Sequence, residues 1–406
     1  MTGTLPTSFD GLRPNPDWAK LPLFDRKGWK RVRFGDVVRM LKEQVDPQSG
    51  EVDRYVAGEH METENIHIRK WGTVGDGYLG PAFIRRFRKG QVLYGSRRTY
   101  LKKVSMAEFD GVTANTTFVL QAEEKMLLQE LLPWLMLSER FTQHSIRESK
   151  GSTNPYINFP DIAKFEFYLP PLDQQRRIAE ILWAVDGSIE HQIDLESTTQ
   201  SAADWLRNEH FTSANRQKLT TIRKVGRWFS GNTPSRSRAD YWEGSFPWVS
   251  PKDMKAPLIK DSQEHLSDEG CKEATVIGPG NLLIVIRGMI LAHTFPVAIT
   301  QQHVAFNQDM KALIPSELFS VMYLFHWFKW VTPKILGRIS DSSHGTKRLA
   351  MDDLFEMKVP VLSIKEQNSL VEQITVLESI ETAGHSNKKQ LTFLRTSFLR
   401  VVFNEP

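Results

Sequence analysis

Between Arg85 and Lys103 the chain carries eight Lys and Arg side chains (Arg85, Arg86, Arg88, Lys89, Arg97, Arg98, Lys102 and Lys103) and no Asp or Glu. Like charges this dense repel one another in the free protein, and a polyanion would relieve them. Tyr94 and Tyr100 lie among them. Basic residues interleaved with aromatics suit a phosphate backbone. The competing reading is a solvated strand-turn-strand surface, since a charge run is most often a solvated face. No catalytic set stands beside this run. Gly75-Asp76-Gly77-Tyr78-Leu79-Gly80 matches G-x-G-x-x-G, but Pro81 follows it and no helix pattern opens there, as a cofactor loop requires. Asn154-Pro155-Tyr156 lacks the second proline of an amino-methyltransferase loop. Glu356-Met357-Lys358 has the E-x-K spacing of a metal-dependent nuclease, without a Pro-Asp partner suitably upstream. The eleven histidines are scattered, and G-x-x-x-x-G-K-[S/T], H-E-x-x-H and G-x-S-x-G are absent. The single cysteine, Cys271, excludes a disulfide framework and a four-cysteine zinc site, and fits a reducing cytoplasm.

The elements that must hold the basic run occur twice. Leu169 to Phe211 opens on an extended Pro-Pro step and then reads as a long helix from about Asp173. Its apolar seam is Ile178, Leu182, Val185, Ile189, Ala203 and Leu206, and spacings of three and four put these on one stripe. A second such stretch begins at Val359, with a helix from about Lys365 to Phe403 and a seam of Leu370, Ile374, Leu377, Leu391, Leu394 and Phe398. Gly384 in its middle predicts a kink or local break. The copies keep register. Gly90 and Gly280, Arg97 and Arg287, and Pro170 and Pro360 each lie 190 residues apart; Gln175 and Gln367, Asn115 and Asn307, and Phe211 and Phe403 lie 192 apart. The chain is thus a tandem duplication of a domain plus a long helix, too large a repeat for a solenoid of roughly 20 to 50 residues per unit.

Between the helices the pattern is mixed. In the first copy, β-rich runs at Tyr78–Ile84, Gln91–Tyr94 and Thr116–Leu120 are followed by a helix pattern over Glu124–Arg140. That is an α+β domain. The expected organisation is an N-terminal extension over 1–28 that Trp18 could pack, a globular domain over 29–168, a helix over 169–213, a second globular domain over 214–362, and a final helix over 363–406. Each helix would be roughly 55 to 60 Å long at about 1.5 Å per residue. Its centre is too polar to stand alone, so the two helices are expected to pair as an antiparallel coiled coil, relating the domains by a pseudo-twofold. Net charge is +4, a weak basic bias. The first residues lack the basic and apolar regions of a signal peptide. Leu318–Val331 is interrupted by His326 and Lys329 and falls short of the roughly 20 apolar residues of a membrane span, which predicts a buried helix instead.

Together these residues resemble a family, the specificity subunits of Type I restriction-modification systems. The resemblance rests on Pro170-Pro-Leu-Asp-Gln-Gln175 and Pro360-Val-Leu-Ser-Ile-Lys-Glu-Gln367, each opening a long helix. It rests also on Gly-x-x-Leu-x-x-x-Arg at 90–97 and 280–287, and on the run Gly231-Asn-Thr-Pro-Ser, Tyr241-Trp-Glu-Gly, Pro247-Trp-Val-Ser and Asp253-Met254. The order domain, helix, domain, helix covers nearly the whole chain. The first half departs from the pattern, having Gly35-Asp36-Val37 and Trp71-Gly-Thr in place of the Thr-Pro-Ser and Tyr-Trp runs. The resemblance implies a non-catalytic reader of double-stranded DNA in the cytoplasm. Each target-recognition domain would read one half of a split target in the major groove. The helices would act as a ruler between the halves and dock two modification subunits. This chain would bind no cofactor; the modification subunits would use S-adenosylmethionine to methylate adenine, and restriction subunits would add cleavage driven by ATP and Mg.

On that reading Arg85, Arg86, Arg88, Lys89, Lys102 and Lys103 hold phosphates. Arg97 and Arg98 reach base edges, since Arg reads guanine bidentately. Because Arg97 aligns with Arg287, a shared structural or phosphate role is equally open. In the second domain Arg236, Arg238, Lys252 and Lys347 are phosphate candidates, and Ser235, Asn307 and Gln308 are polar readers. Two other classes compete: a self-contained DNA adenine methyltransferase, and a two-domain scaffold that binds no nucleic acid.

Overall fold

Two helices of 41 and 40 residues, Leu172–Thr212 and Ile364–Phe403, run from one globular part of the chain into the other in the computed structural model. The structure describes residues 26–212, 218–341 and 346–403. The expected N-terminal arm with Trp18, and the expected boundary at Ala214, lie outside the described residues. The chain divides into two units. The first comprises the described residues up to Ile193 together with those from Ser386, and the second spans Asp194–His385. The division therefore falls inside the long helices and not at their ends.

The first unit holds an antiparallel four-stranded sheet, ordered Val38–Leu41, Thr117–Ala122, Val92–Gly95, Val104–Met106. A second four-stranded sheet is ordered Gly72–Thr73, Arg54–Val56, Gly111–Ala114, Phe83–Phe87, with Tyr55 opposite Val112 in a parallel pair. Lys30–Arg33 pairs with Glu166–Leu169 as a separate ribbon. The second unit repeats this plan. Its larger sheet is ordered Gly226–Ser230, Met310–Pro315, Leu282–Val285, Val297–Thr300, Leu258–Ile259. Its smaller sheet contains the parallel pair Phe246–Val249 with Val304–Phe306. Leu219–Thr221 pairs with Lys358–Pro360. Leu282–Val285 is buried along its whole length, which is why it reads as an unbroken apolar run.

Three local expectations fail for physical reasons. The helix expected over Glu124–Arg140 is two helices, Leu132–Leu137 and Glu139–Arg147, because Ser138 is extended and its side chain caps Phe141 N. The run Tyr78–Ile84 is mostly loop: Tyr78 is 91% exposed, and the strand begins at Phe83. The second long helix is continuous through Gly384, which is buried, so no break occurs there. Leu318–Val331 does contribute a buried helix, Val321–Leu336.

Each long helix is tied to its domain by one fully buried glutamine. Gln175 Oε1 accepts from Leu128 N at 2.9 Å, and its Nε2 donates to Met126 O at 2.7 Å and Pro170 O at 2.8 Å. Gln367 Oε1 accepts from Ser320 N at 2.8 Å, and its Nε2 donates to Leu318 O at 2.8 Å and Leu362 O at 2.9 Å. Every partner is shifted by 192 residues, as the glutamines are. The residue equivalent to Pro170 is therefore Leu362 and not Pro360. The change of offset from 190 to 192, expected as a two-residue insertion just after the proline step, therefore lies upstream of it, before the short helices Phe159–Ile162 and Met351–Phe355.

The seams divide between two cores. Ile178, Leu182 and Ile189 are buried and Val185 half-buried; Ile178 and Leu182 share the core of the first unit with Leu399, Val402 and Phe403, with Phe398 packed against it. Ala203, Leu370 and Ile374 belong to the core of the second unit, with Leu206 and Leu377 against it. Leu391 is half-buried, but Leu394 is 52% exposed and Arg395 takes the inward position. Arg395 Nη1 donates to Asp186 at 2.5 Å in the first unit. In the second, Arg207 bonds Glu378. Going along the first helix from Asp186 to Arg207, the partner on the second runs back from Arg395 to Glu378, the order of an antiparallel pair.

His67 completes the first cluster. Its ring nitrogens lie 2.9 Å from Glu108 and 2.7 Å from Asp186, while Arg69 bonds Glu190 at 2.5 Å. Burial works against its charge, but the hydrogen bonds to Asp186 and Glu108 and the fields of Asp186 and Glu190 outweigh it and raise its pKa to about 10. In the second unit, His326 is buried with neither ring nitrogen bonded among the described residues, and burial pushes its pKa down to about 4.

Two predictions follow from these anchors. Gln175→Leu takes the side-chain partner from Leu128 N and from the carbonyls of Met126 and Pro170, and should destabilise the first unit by about 2 kcal/mol, read by urea denaturation and by faster hydrogen exchange at Leu128. The units should also respond oppositely to pH. The His67 contribution is fully present below about pH 6.5 and lost as pH rises toward about 10, whereas the His326 contribution is present above about pH 6.5 and lost as pH falls toward about 4. Unit-resolved hydrogen exchange across that range should show both slopes, with His67→Gln removing the alkaline one and His326→Phe the acid one.

Candidate nucleic-acid interface

The basic run folds as strand, turn, strand and 3-10 turn, and the fold brings acids to it from elsewhere. Arg86 bonds Glu51 at 2.8 Å and Arg88 bonds Glu43 at 2.7 Å. Lys102 meets Glu64 at 2.7 Å and Glu139 at 3.2 Å; burial opposes its charge, but those two carboxylates raise its pKa overall. Lys103 donates to Gly58 O. Arg85 is half-buried, and its Nη1 finds no hydrogen-bond partner among the described residues. The expectation of eight uncompensated cations is thereby corrected: the absence of acids was a property of the local sequence and not of the folded surface. Lys89, Arg97 and Arg98 remain exposed, with no carboxylate partner among the described residues.

Arg97 and Arg98 sit where Val92–Gly95 leaves its sheet. Arg98 adopts a left-handed φ of 49°, unusual for a residue with a side chain. Arg97 forms a single antiparallel bridge with Tyr156, and its guanidinium lies 5.9 Å from that ring. Sequence reading treated Asn154-Pro155-Tyr156 as a chance motif in a loop and missed this contact. Only the fold shows the equivalence: Tyr156 and Arg348 are 192 residues apart but unlike in type, and Arg348 bridges Arg287 in the same way. The loop Gly75–Gly80 leads into the strand Phe83–Phe87 and not into a helix, which removes the context a dinucleotide loop needs.

In the second unit the run from Gly231 is a loop, a 3-10 turn at Ala239–Tyr241 and the strand Phe246–Val249, pinned by hydrogen bonds. A Cβ at Gly231 would lie 2.1 Å from Asn307 O, so only glycine fits there. Asn232 Oδ1 accepts from Thr275 N at 2.6 Å, and Trp248 Nε1 donates to Asn232 O at 3.2 Å. Asp253 caps Ser250 N at 2.8 Å and Gln263 N at 2.9 Å. Arg236 lies 3.5 Å from the centroid of the Trp242 ring and 4.9 Å from that of Trp248, and Glu264 holds its guanidinium. Arg238 lies 4.4 Å from the Tyr241 ring with Asp240 bidentate on it. Ser235 is exposed and bonds Ser237; Gln308 accepts from Thr233. Asn307 is buried and its Oδ1 accepts from Asp309 N at 3.1 Å, a structural task. Asp309 also holds Arg287 at 2.5 Å. Lys347 pairs with Asp341 at 2.5 Å, while Lys252 is exposed. Ser235, Arg236 and Arg238 thus share one loop, and Arg287, Asn307 and Lys347 cluster around Asp309 and the bridge to Arg348.

Three arginines here are held by a carboxylate, and two of these also stack on an aromatic ring. Such guanidiniums are fixed in direction before any ligand arrives, which lowers the entropy lost on binding. Among the described residues no helix is long and apolar enough to cross a membrane, and no group of three or more His, Cys, Asp or Glu side chains could hold a metal ion.

Comparison with known proteins places this arrangement. The sequence matches the family described as Type I restriction modification DNA specificity domain twice, over residues 26–196 and 218–391. It is 34% identical over 169 residues to the Type I restriction enzyme EcoR124I/EcoR124II specificity subunit of Escherichia coli, covering 41% of each chain. It is 27% identical over 190 residues to the Type I restriction enzyme MjaIX specificity subunit of Methanocaldococcus jannaschii, covering 45% of this chain and 42% of that one. The matched part spans about two fifths of the length of these relatives. Among solved structures, a Type I restriction-modification S subunit from M. genitalium superposes with a TM-score of 0.58 at 15% identity, covering 93% of this chain and 97% of that one. A chain from a study of complex assembly and conformational transition in a Type I system gives 0.57 at 19% identity, covering 92% and 97%. These structures share the fold of both units and of the long helices, and the two sequence matches together take in most of the chain: it belongs to the Type I restriction-modification DNA-specificity family.

Proposed function

We propose that this chain is the non-catalytic specificity subunit of a Type I restriction-modification assembly, acting in the cytoplasm and reading a bipartite site in double-stranded DNA. The observation that carries this is the tandem specificity domain, with exposed or pre-oriented arginines in each copy. One domain serves each half-site. In the first, Lys89, Arg97 and Arg98 meet DNA directly, and Arg85, Arg86, Arg88, Lys102 and Lys103 supply the surrounding positive field. In the second, Arg236 and Arg238 with Ser235 form one contact loop, and Lys252, Arg287, Gln308 and Lys347 the rest. Their mixture of exposed and carboxylate-held cations suits phosphate positioning together with base reading.

The long helices dock two modification subunits. Large apolar groups stand in water on otherwise polar helix faces: Trp205 is 63% exposed, Val376 53% and Phe393 75%. Apolar side chains so placed are suited to burial against a partner. The methyl donor S-adenosylmethionine belongs to those modification subunits, and ATP-driven cleavage to restriction subunits that join them; this chain contributes recognition and assembly.

The purified chain with its modification subunits should bind duplex DNA with an affinity that falls at least tenfold from about 50 to 200 mM salt, since neutralised phosphates release counterions. Absent or salt-insensitive binding would favour a scaffold without nucleic acid. Trp205→Ala and Phe393→Ala should weaken co-purification of the modification subunits while the chain stays folded.

A further inference from the structure

One backbone crossing is built the same way in both units. In the first, Ile157 N donates to Ser96 O at 2.9 Å and Arg98 N to Pro155 O at 2.6 Å. In the second, Leu349 N donates to Ile286 O at 2.9 Å and Gly288 N to Lys347 O at 3.0 Å. Between these bonds Arg97 faces Tyr156, and Arg287 faces Arg348, each as a single antiparallel bridge. A 3-10 turn follows each crossing, Thr99–Leu101 and Met289–Ala292. Residues paired across an antiparallel bridge put their side chains on one face.

What the two sites share is an outward arginine, and what they do not share is a partner for it inside the protein. Arg287 is held by Asp309, whereas Arg97 lies beside the Tyr156 ring and has no carboxylate among the described residues. An internal ion pair therefore does not account for the arginine in both. Across from Arg287 stands a second exposed cation, Arg348, which sequence reading did not single out. Like charges directly opposite on a ladder are unfavourable, and an anion lying over both would reverse that. The next residue differs between the units, as the bridge partner does: Arg98 in the first, Gly288 in the second. A contact that must differ between half-sites would use the variable neighbour. A contact needed equally at both would use the constant one, and phosphate is the feature common to every DNA sequence.

We propose that Arg97 and Arg287 are one duplicated phosphate clamp, completed in the second unit by Arg348, which sets how tightly each half of the DNA is held and not which bases are read. This rests on the DNA-reading function given above. The test uses the full chain with its modification subunits, measuring affinity for duplex DNA carrying the recognised site over a series of salt concentrations. The methylated motif is read in parallel. Arg97→Ala, Arg287→Ala and Arg348→Ala should each weaken binding several-fold, lower the slope of log affinity against log salt by about one, and leave the motif unchanged. Arg97→Lys and Arg287→Lys should keep most of the slope, because a point charge serves a phosphate although it cannot form the fork that guanine needs. A motif relaxed in one half would overturn the clamp in favour of base reading. Unchanged affinity and slope in the alanine variants, with the unaltered complex binding normally, would overturn the clamp alone. Failure of the unaltered complex to bind DNA would overturn the DNA-reading function as well.

Discussion

A helix of about 40 residues with a polar middle is not stable by itself in water, so its position depends on where it is fastened. Gln175 and Gln367 are the fastenings. Each is fully buried at the foot of its helix, and each spends its amide on one backbone N–H and two carbonyls of its own domain. A buried amide with these groups satisfied tolerates only one geometry, because any shift leaves polar atoms unpaired. The direction in which each helix leaves its domain is thereby set. The charged pairs farther along, Asp186 with Arg395 and Arg207 with Glu378, then select the antiparallel order, since displacing one partner would strand a charge that is nearly buried.

The same logic governs the candidate DNA-binding surface. A protein that only attracted polyanions could leave its cations free. Here many are steered: Arg86 and Arg88 by Glu43 and Glu51, Arg236 by Glu264, Arg287 by Asp309. Exposed ion pairs of this kind contribute little stability. Their effect is orientation, and the stacking of Arg236 on Trp242 and Trp248 adds to it. Oriented guanidiniums suit recognition of a fixed geometry, while the exposed Lys89 and Arg98, with no carboxylate partner among the described residues, suit a looser attraction to a polyanion.

Much of this was legible in the chain. The helices expected over Asp173–Phe211 and Lys365–Phe403 are Leu172–Thr212 and Ile364–Phe403, because long apolar spacing bounded by a proline step is a local signal. The duplication was legible for the same reason. What escaped depends on residues distant in sequence. Glu43, Glu51, Glu64 and Glu139 neutralise much of a run that looks wholly basic, and only the fold brings them there. The equivalence of Pro170 with Leu362 follows from hydrogen bonds and not from residue type. The break expected at Gly384 does not occur, because glycine weakens an isolated helix whereas here it is buried within one that continues past it. Tyr156 and Arg348 were passed over because a bridge one residue long leaves no periodicity to read.

The central claim is that two tandem domains read two halves of one DNA site. The most direct measurement is to sequence native DNA from the source cell for modified adenines, with and without this gene. The account predicts a split motif, two short specified halves around an unspecified spacer, that is methylated when the gene is present and disappears on its deletion. A continuous motif, or methylation that persists without the gene, would contradict it.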